Sequence, residues 1–200
     1  MPAVSASPTP FQGLWIPLVT PFHDGAVDHP SLARMTKKLA GQGIAGFVAC
    51  GSTGEAAALD KAEQLAVLET VLDASQGLPV VMGLSGYHLG QTQEWVQTLA
   101  QYPLAGLLVP APHYIRAIKD CGGNAAKTQV LIADGRLAVL AGEDAQMFTT
   151  LALGGHGAIA ASAHWQAPRF VALVELLRAG DLSEARRVWQ ALLPWVEACF

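Results

Sequence analysis

Apolar positions in this chain fall into short runs separated by stretches with helical spacing. Leu14–Val19 is the first run and ends at Thr20-Pro21. Gly46–Cys50, Leu78–Leu84, Leu104–Val109, Ala117-Ile118, Leu137–Ala141 and Ala158–Ala161 follow in order. Runs that are apolar at nearly every residue predict strands buried on both faces, and therefore a parallel sheet. Between the runs, Asp28 heads a segment whose Leu32, Met35 and Leu39 share one helical face, with Gly41 and Gly43 stopping it. Asp60 and Glu63 have the spacing of a capping box ahead of Leu65, Leu68 and Leu72. Further helices are predicted over Gln91–Gln101, Asn124–Ala133, Ala145–Leu153, Pro168–Ala179 and Ser183–Ala198.

Strand and helix in alternation admit two architectures, an eightfold (β/α) barrel and a doubly wound sheet. A doubly wound sheet would carry G-x-G-x-x-G after its first strand. Here the first run ends in VTPF, which favours the barrel. One place breaks the pattern. Only PAPHYIR separates Val109 from Ala117, whereas a parallel crossover takes about 10–12 residues or more. A closed barrel of this type needs eight strands, and the seven runs are one short. A segment is therefore expected to be absent between Tyr114 and Ile118. The join at Arg116-Ala117 is then either an interruption of the chain, which is the favoured expectation, or the seam of an opened, seven-stranded barrel.

Composition narrows the function classes. Of 200 residues, 52% are hydrophobic and 14% charged, a composition that builds a core and excludes a disordered chain. No run is long enough to span a bilayer. The net charge of −4, without a basic stripe, gives no footing for nucleic acid or an anionic membrane. Cys50, Cys121 and Cys199 are odd in number and lack metal-type spacing, so neither a disulfide framework nor a zinc site is expected. A reducing cytoplasm fits, and the start has no signal-peptide pattern. The chain divides on this reading into a frayed arm (1–12), a barrel (13–179) and a helical extension (180–200).

Three places carry candidate chemistry. Gly51-Ser52-Thr53-Gly54-Glu55 follows the second run. Its two glycines around two hydroxyls let backbone N–H groups turn toward a small anion such as a carboxylate, although the same turn also serves as plain helix punctuation. Lys119 ends the Ala117-Ile118 stretch, ahead of Asp120 and Gly122-Gly123. At the C-terminal end of a barrel strand a lysine can point into the mouth and attack a carbonyl, or it can reach solvent. Tyr114 lies in a proline-flanked loop, where its phenol can relay a proton or simply pack. No metal ligand set is expected, because the histidines show no paired spacing.

Taken together, these segments resemble the dihydrodipicolinate synthase and N-acetylneuraminate lyase family of class I, Schiff-base-forming pyruvate aldolases. GLWIPLVTPF is similar to the family's first strand, GFVACGSTGEAAAL to its hydroxyl motif, and LLVPAPHYIR to its tyrosine loop. AIKDCGGN is similar to the segment with the Schiff-base lysine, and VLAGEDAQMFTTLALGGHGAIAASAHWQAPRF to its last two strands. The resemblance implies a TIM (β/α)8 barrel that lacks its fifth strand and flanking helices, followed by a truncated C-terminal helical extension. It implies that Lys119 forms an imine with pyruvate. Ser52 and Thr53 would bind the pyruvate carboxylate, with Thr53 also passing protons. Tyr114 would extend that relay into a neighbouring subunit's site, in a homodimer or homotetramer. Gly142 and Ile159 would line the pyruvate pocket. The enamine would then attack an aldehyde, aspartate semialdehyde in the lysine pathway, with no cofactor.

The chain departs from the family pattern in three ways. The segment carrying the family's main catalytic tyrosine, in a Y-x-x-P-like motif, has no counterpart between PHYIR and AIKDC. Ser52 stands where the family often has threonine, as in members like sialic acid lyases. The sequence also stops at Phe200, inside the expected extension. Other family aldolases, acting on N-acetylneuraminate or 2-keto-3-deoxy sugar acids, and a catalytically dead barrel remnant are the competing readings.

Overall fold

The computed structural model describes residues 11–84, 89–109 and 115–199. In chain order the elements are β1 (Gly13–Pro17), β2 (Phe22–His23), β3 (Ala26–Val27), α1 (His29–Ala40), β4 (Gly46–Ala49), α2 (Lys61–Ala74), β5 (Val80–Gly83) and α3 (Leu89–Leu99). There follow β6 (Gly106–Leu108), β7 (Ala117–Asp120), α4 (Ala125–Asp134), β8 (Ala138–Ala141), α5 (Met147–Ala152), β9 (Gly157–Ile159), α6 (Ala163–Ala179) and α7 (Leu182–Glu197). Short 3-10 turns occupy Ala56–Ala58 and Asp144–Gln146. Each of the seven apolar runs overlaps one parallel strand, with β1 and β9 starting one residue before their runs and β7 extending two residues past its run. Just ahead of β7 the Arg116 carbonyl accepts a hydrogen bond from the Ala138 amide at 3.1 Å.

The described residues cluster into two compact units. One contains residues 15–109 and 161–168. Within it β1, β4, β5 and β6 pair in that order, all parallel, in the registers Ile16↔Phe47, Val48↔Val81 and Met82↔Leu107. Trp15, Ile16, Phe47, Val48, Val80 and Met82 are buried, as expected for strands covered on both faces. Asp28 caps α1 by accepting from the Ser31 amide, and α1 lies against α2. The capping box at α2 is complete: the Asp60 carboxylate accepts from the Glu63 amide at 2.8 Å, and Glu63 accepts from the Asp60 amide at 2.9 Å.

The other unit contains residues 11–14, 115–160 and 169–199. Its strands β7, β8 and β9 are parallel, with Lys119↔Leu140 and Leu140↔Gly157 as Cα partners. Asn124 caps α4 through the Lys127 amide, and Gly135 closes that helix in the left-handed conformation. Phe170, Leu173, Ala185 and Leu192 bury the inner faces of the two C-terminal helices.

Two features were not anticipated from the hydrophobic pattern. Phe22–His23 and Ala26–Val27 form a small antiparallel hairpin, turned by Asp24 and Gly25, both at positive φ. This is the backbone that Asp-Gly favours in a two-residue hairpin turn. The helix predicted from Pro168 begins five residues earlier, at Ala163, with a kink at Gln166 just ahead of the proline.

Candidate functional site

The end of β7 is organised by a buried carboxylate. Asp120 lies with its side chain 3% exposed and takes the Lys127 ammonium at 2.6 Å and the Thr128 hydroxyl at 2.6 Å. The Gly122 amide donates to it at 3.3 Å. Burial alone pushes this carboxyl up. The Lys127 and Thr128 hydrogen bonds, the Gly122 amide and the Lys127 charge outweigh that effect and hold it below its ordinary value. Both side-chain partners sit on the first turns of α4, so the Asp120 side of β7 is the side that α4 covers.

Side chains alternate along a strand, so Lys119 projects from the opposite face. Register then names its neighbours. Lys119 pairs with Leu140 and Leu140 with Gly157, and two residues further along the same face come Gly142 and Ile159. Three of the residues singled out above, Lys119, Gly142 and Ile159, therefore share one face of this unit. Gly142 makes room there. A Cβ on it would stand 2.5 Å from Lys119 Cγ, 2.9 Å from Lys119 Cε and 2.5 Å from Cys121 Sγ. The Gly142 amide donates to the Asp120 carbonyl at 2.9 Å, which fixes the two strand ends against each other. Ile159 is buried and Lys119 half-buried.

Ser52 and Thr53 lie in the other unit, in the turn between β4 and α2. Cys50 and Glu55, on either side of the pair, both have left-handed backbones, with φ of 51° and 53°. Within the turn the Gly54 amide donates to Gly51 O, and the Glu55 amide to Ser52 O, both at 3.1 Å. The Ser52 and Thr53 amides donate to no group among the described residues. Ser52 is exposed and Thr53 half-buried. Two adjacent N–H groups without an internal acceptor form a site that can receive a carboxylate. Burial raises the Cys50 thiol to about 12, with the Lys61 charge acting weakly the other way, so this cysteine is held as an inert thiol.

Tyr114 lies outside the described residues. Among the described residues no group of three or more His, Cys, Asp or Glu side chains is gathered to hold a metal ion. No helix among them is long and apolar enough to cross a membrane. Sequence reasoning passed over two structural partners of the candidate residues, the Asp120 clamp and Gln64. The first had a visible signal, since an acid beside a strand-end lysine and a Lys-Thr pair on the next helix suggest an ion pair. Gln64 had none, because its partners are backbone carbonyls.

Parallel strands returning through helices, with polar turns after their C-terminal ends, define an α/β protein. The chain belongs to the dihydrodipicolinate synthetase family, whose profile matches residues 10–117 and 115–200. The 4-hydroxy-tetrahydrodipicolinate synthase 2 of Clostridium acetobutylicum is 25% identical over 241 residues, covering 94% of this chain and 84% of that protein. That span exceeds the length of this chain, so the relative has residues that this one skips. The family match divides at residues 115–117. Among solved structures, dihydrodipicolinate synthase from Aquifex aeolicus superimposes with a TM-score of 0.88 at 20% identity, over 94% of this chain and 82% of that one. YagE, a prophage protein of the dihydrodipicolinic acid synthase family from E. coli K12 solved with pyruvate, gives 0.83 at 27% identity, over 92% and 80%.

Proposed function

We propose that this chain is a Schiff-base-forming pyruvate lyase or aldolase that condenses pyruvate with aspartate semialdehyde, as a 4-hydroxy-tetrahydrodipicolinate synthase does. The observation that carries the reading is Lys119. It lies at the C-terminal end of β7, on the face away from α4, with its side chain over Gly142. In this reading the Lys119 amine attacks the pyruvate keto carbon, water leaves, and an imine forms. Loss of a methyl proton gives the enamine, which attacks the aldehyde carbonyl. Ser52 and Thr53 receive the carboxylate, Thr53 and Tyr114 pass protons, and Gly142 and Ile159 wall the pyruvate. The protein acts without a cofactor, in the cytoplasm, as a homodimer or homotetramer.

One observation favours a second reading, a barrel that has lost turnover. The family match divides at residues 115–117, where the family resemblance implies a fifth strand with a tyrosine that this chain lacks. Loss of one proton-relay member costs about a hundredfold or more in rate. A condensation assay with pyruvate and aspartate semialdehyde, run beside cleavage assays on N-acetylneuraminate and 2-keto-3-deoxy sugar acids, separates the possibilities. The first reading expects turnover only in the condensation. Turnover only in a cleavage assay contradicts it, and an adduct on Lys119 without turnover in any assay supports the remnant.

A further inference from the structure

The turn that carries Ser52 and Thr53 has few contacts of its own, yet it is held at both ends by one residue. Gln64 lies on the second turn of α2 and is only 4% exposed. Its side-chain amide donates to the Ala56 carbonyl at 3.0 Å and to the Leu59 carbonyl at 3.1 Å, where the turn leaves toward the helix. Its backbone carbonyl accepts from the Cys50 thiol at 3.7 Å, where the turn begins. A third anchor is the Thr20 hydroxyl, which donates to the Gly54 carbonyl at 2.7 Å. Gly83 allows the left-handed bend at Cys50, since a Cβ there would stand 2.3 Å from the Cys50 carbonyl oxygen.

We infer that Gln64 is the positioning residue of the anion-binding turn: it holds the Ser52 and Thr53 amides in the conformation that receives the substrate carboxylate. This deepens the reading above and rests on it only for the identity of the anion. Ala56 and Leu59 are buried, so their carbonyls have no water to replace Gln64. Without the amide, the Leu59 carbonyl loses its side-chain donor and the Ala56 carbonyl keeps only the Leu59 amide at 3.3 Å. With that brace gone, the exit of the turn at Ala56–Leu59 is free to shift, and the Ser52 and Thr53 amides that precede it lose their fixed direction.

The test titrates the 15N-labelled full chain with pyruvate and follows the amide resonances of Ser52 and Thr53. That signal reports carboxylate binding whether or not an imine forms at Lys119, so a missing adduct counts against the proposed function alone. Gln64→Met keeps the length and apolar fit of the side chain but cannot donate. It is expected to raise half-saturating pyruvate at least tenfold. Glu63→Ala is the control, because it breaks the exposed capping box of the same helix and lowers stability while leaving the turn anchored. Its half-saturation is expected to stay within twofold of the parent. Binding by Gln64→Met equal to the parent overturns the assignment, as does an equal loss in Glu63→Ala. Ser52 and Thr53 resonances that do not respond to pyruvate in the parent also overturn it.

Discussion

The side chain of Lys119 occupies the space that a side chain on Gly142 would need: a Cβ at 142 would stand 2.5 Å from its Cγ and 2.9 Å from its Cε. Gly142 is not at positive φ, so alanine there is compatible with the backbone and acts through its collisions with the Lys119 side chain and with Cys121 Sγ, at 2.5 Å. Gly142→Ala is expected to leave the fold intact and to displace the amine. Misplacing a reacting group by about 1 Å costs on the order of a hundredfold. The rate of pyruvate adduct formation, followed by borohydride trapping, should fall by that order. An unchanged rate would separate Lys119 from the chemistry.

Asp120→Asn should destabilise the chain, because the Lys127 ammonium loses its buried counter-charge. Breaking a buried pair by removing one partner costs about 3–5 kcal/mol, and the half-exposed Lys127 places this pair at or below the lower figure. The effect depends on pH. The folded-state carboxyl titrates below its ordinary value of 3.8, so its stabilising contribution is complete above that value and is lost as pH falls through the lowered one. Urea midpoints of parent and variant should differ fully at pH 6 and converge below pH 3.8. A gap that persists unchanged into acid would contradict the ion-pair account.

Thr53→Val removes one hydroxyl without disturbing the turn, in which Thr53 makes no internal hydrogen bond among the described residues. A hydrogen bond to a charged group contributes about 1.5–3 kcal/mol. Half-saturating pyruvate for adduct formation should therefore rise tenfold or more, with the thermal midpoint unchanged. Adduct formation at the parent's concentration would remove Thr53 from carboxylate binding.

The hydrophobic pattern was a good guide to this fold because strands buried on both faces leave unbroken apolar runs, as at Phe47, Val48 and Val139, Leu140. Helix starts were equally legible at Asp28, Asp60 and Asn124, whose side chains cap the first turn in the observed structure. The hairpin at Asp24-Gly25 was passed over because its strands are two residues each, too short for any period, and all but Val27 are exposed. For the candidate site, motif order pointed to Lys119 and to Ser52-Thr53. It could not show Gly142 making room for the lysine, since that depends on strand register. Gln64 was hidden for a different reason: a side chain bonding to backbone carbonyls leaves no partner residue to find in the sequence.

The central claim is that Lys119 is the nucleophile, and reductive trapping tests it most directly. The intact chain is incubated with pyruvate and borohydride, digested, and mapped by mass spectrometry, in parallel with a Lys119→Arg variant. A single reduced pyruvyl adduct on the peptide containing Lys119, absent from Lys119→Arg, is the predicted result. An adduct on another lysine, such as Lys127, or no adduct at all in the folded parent, would contradict it.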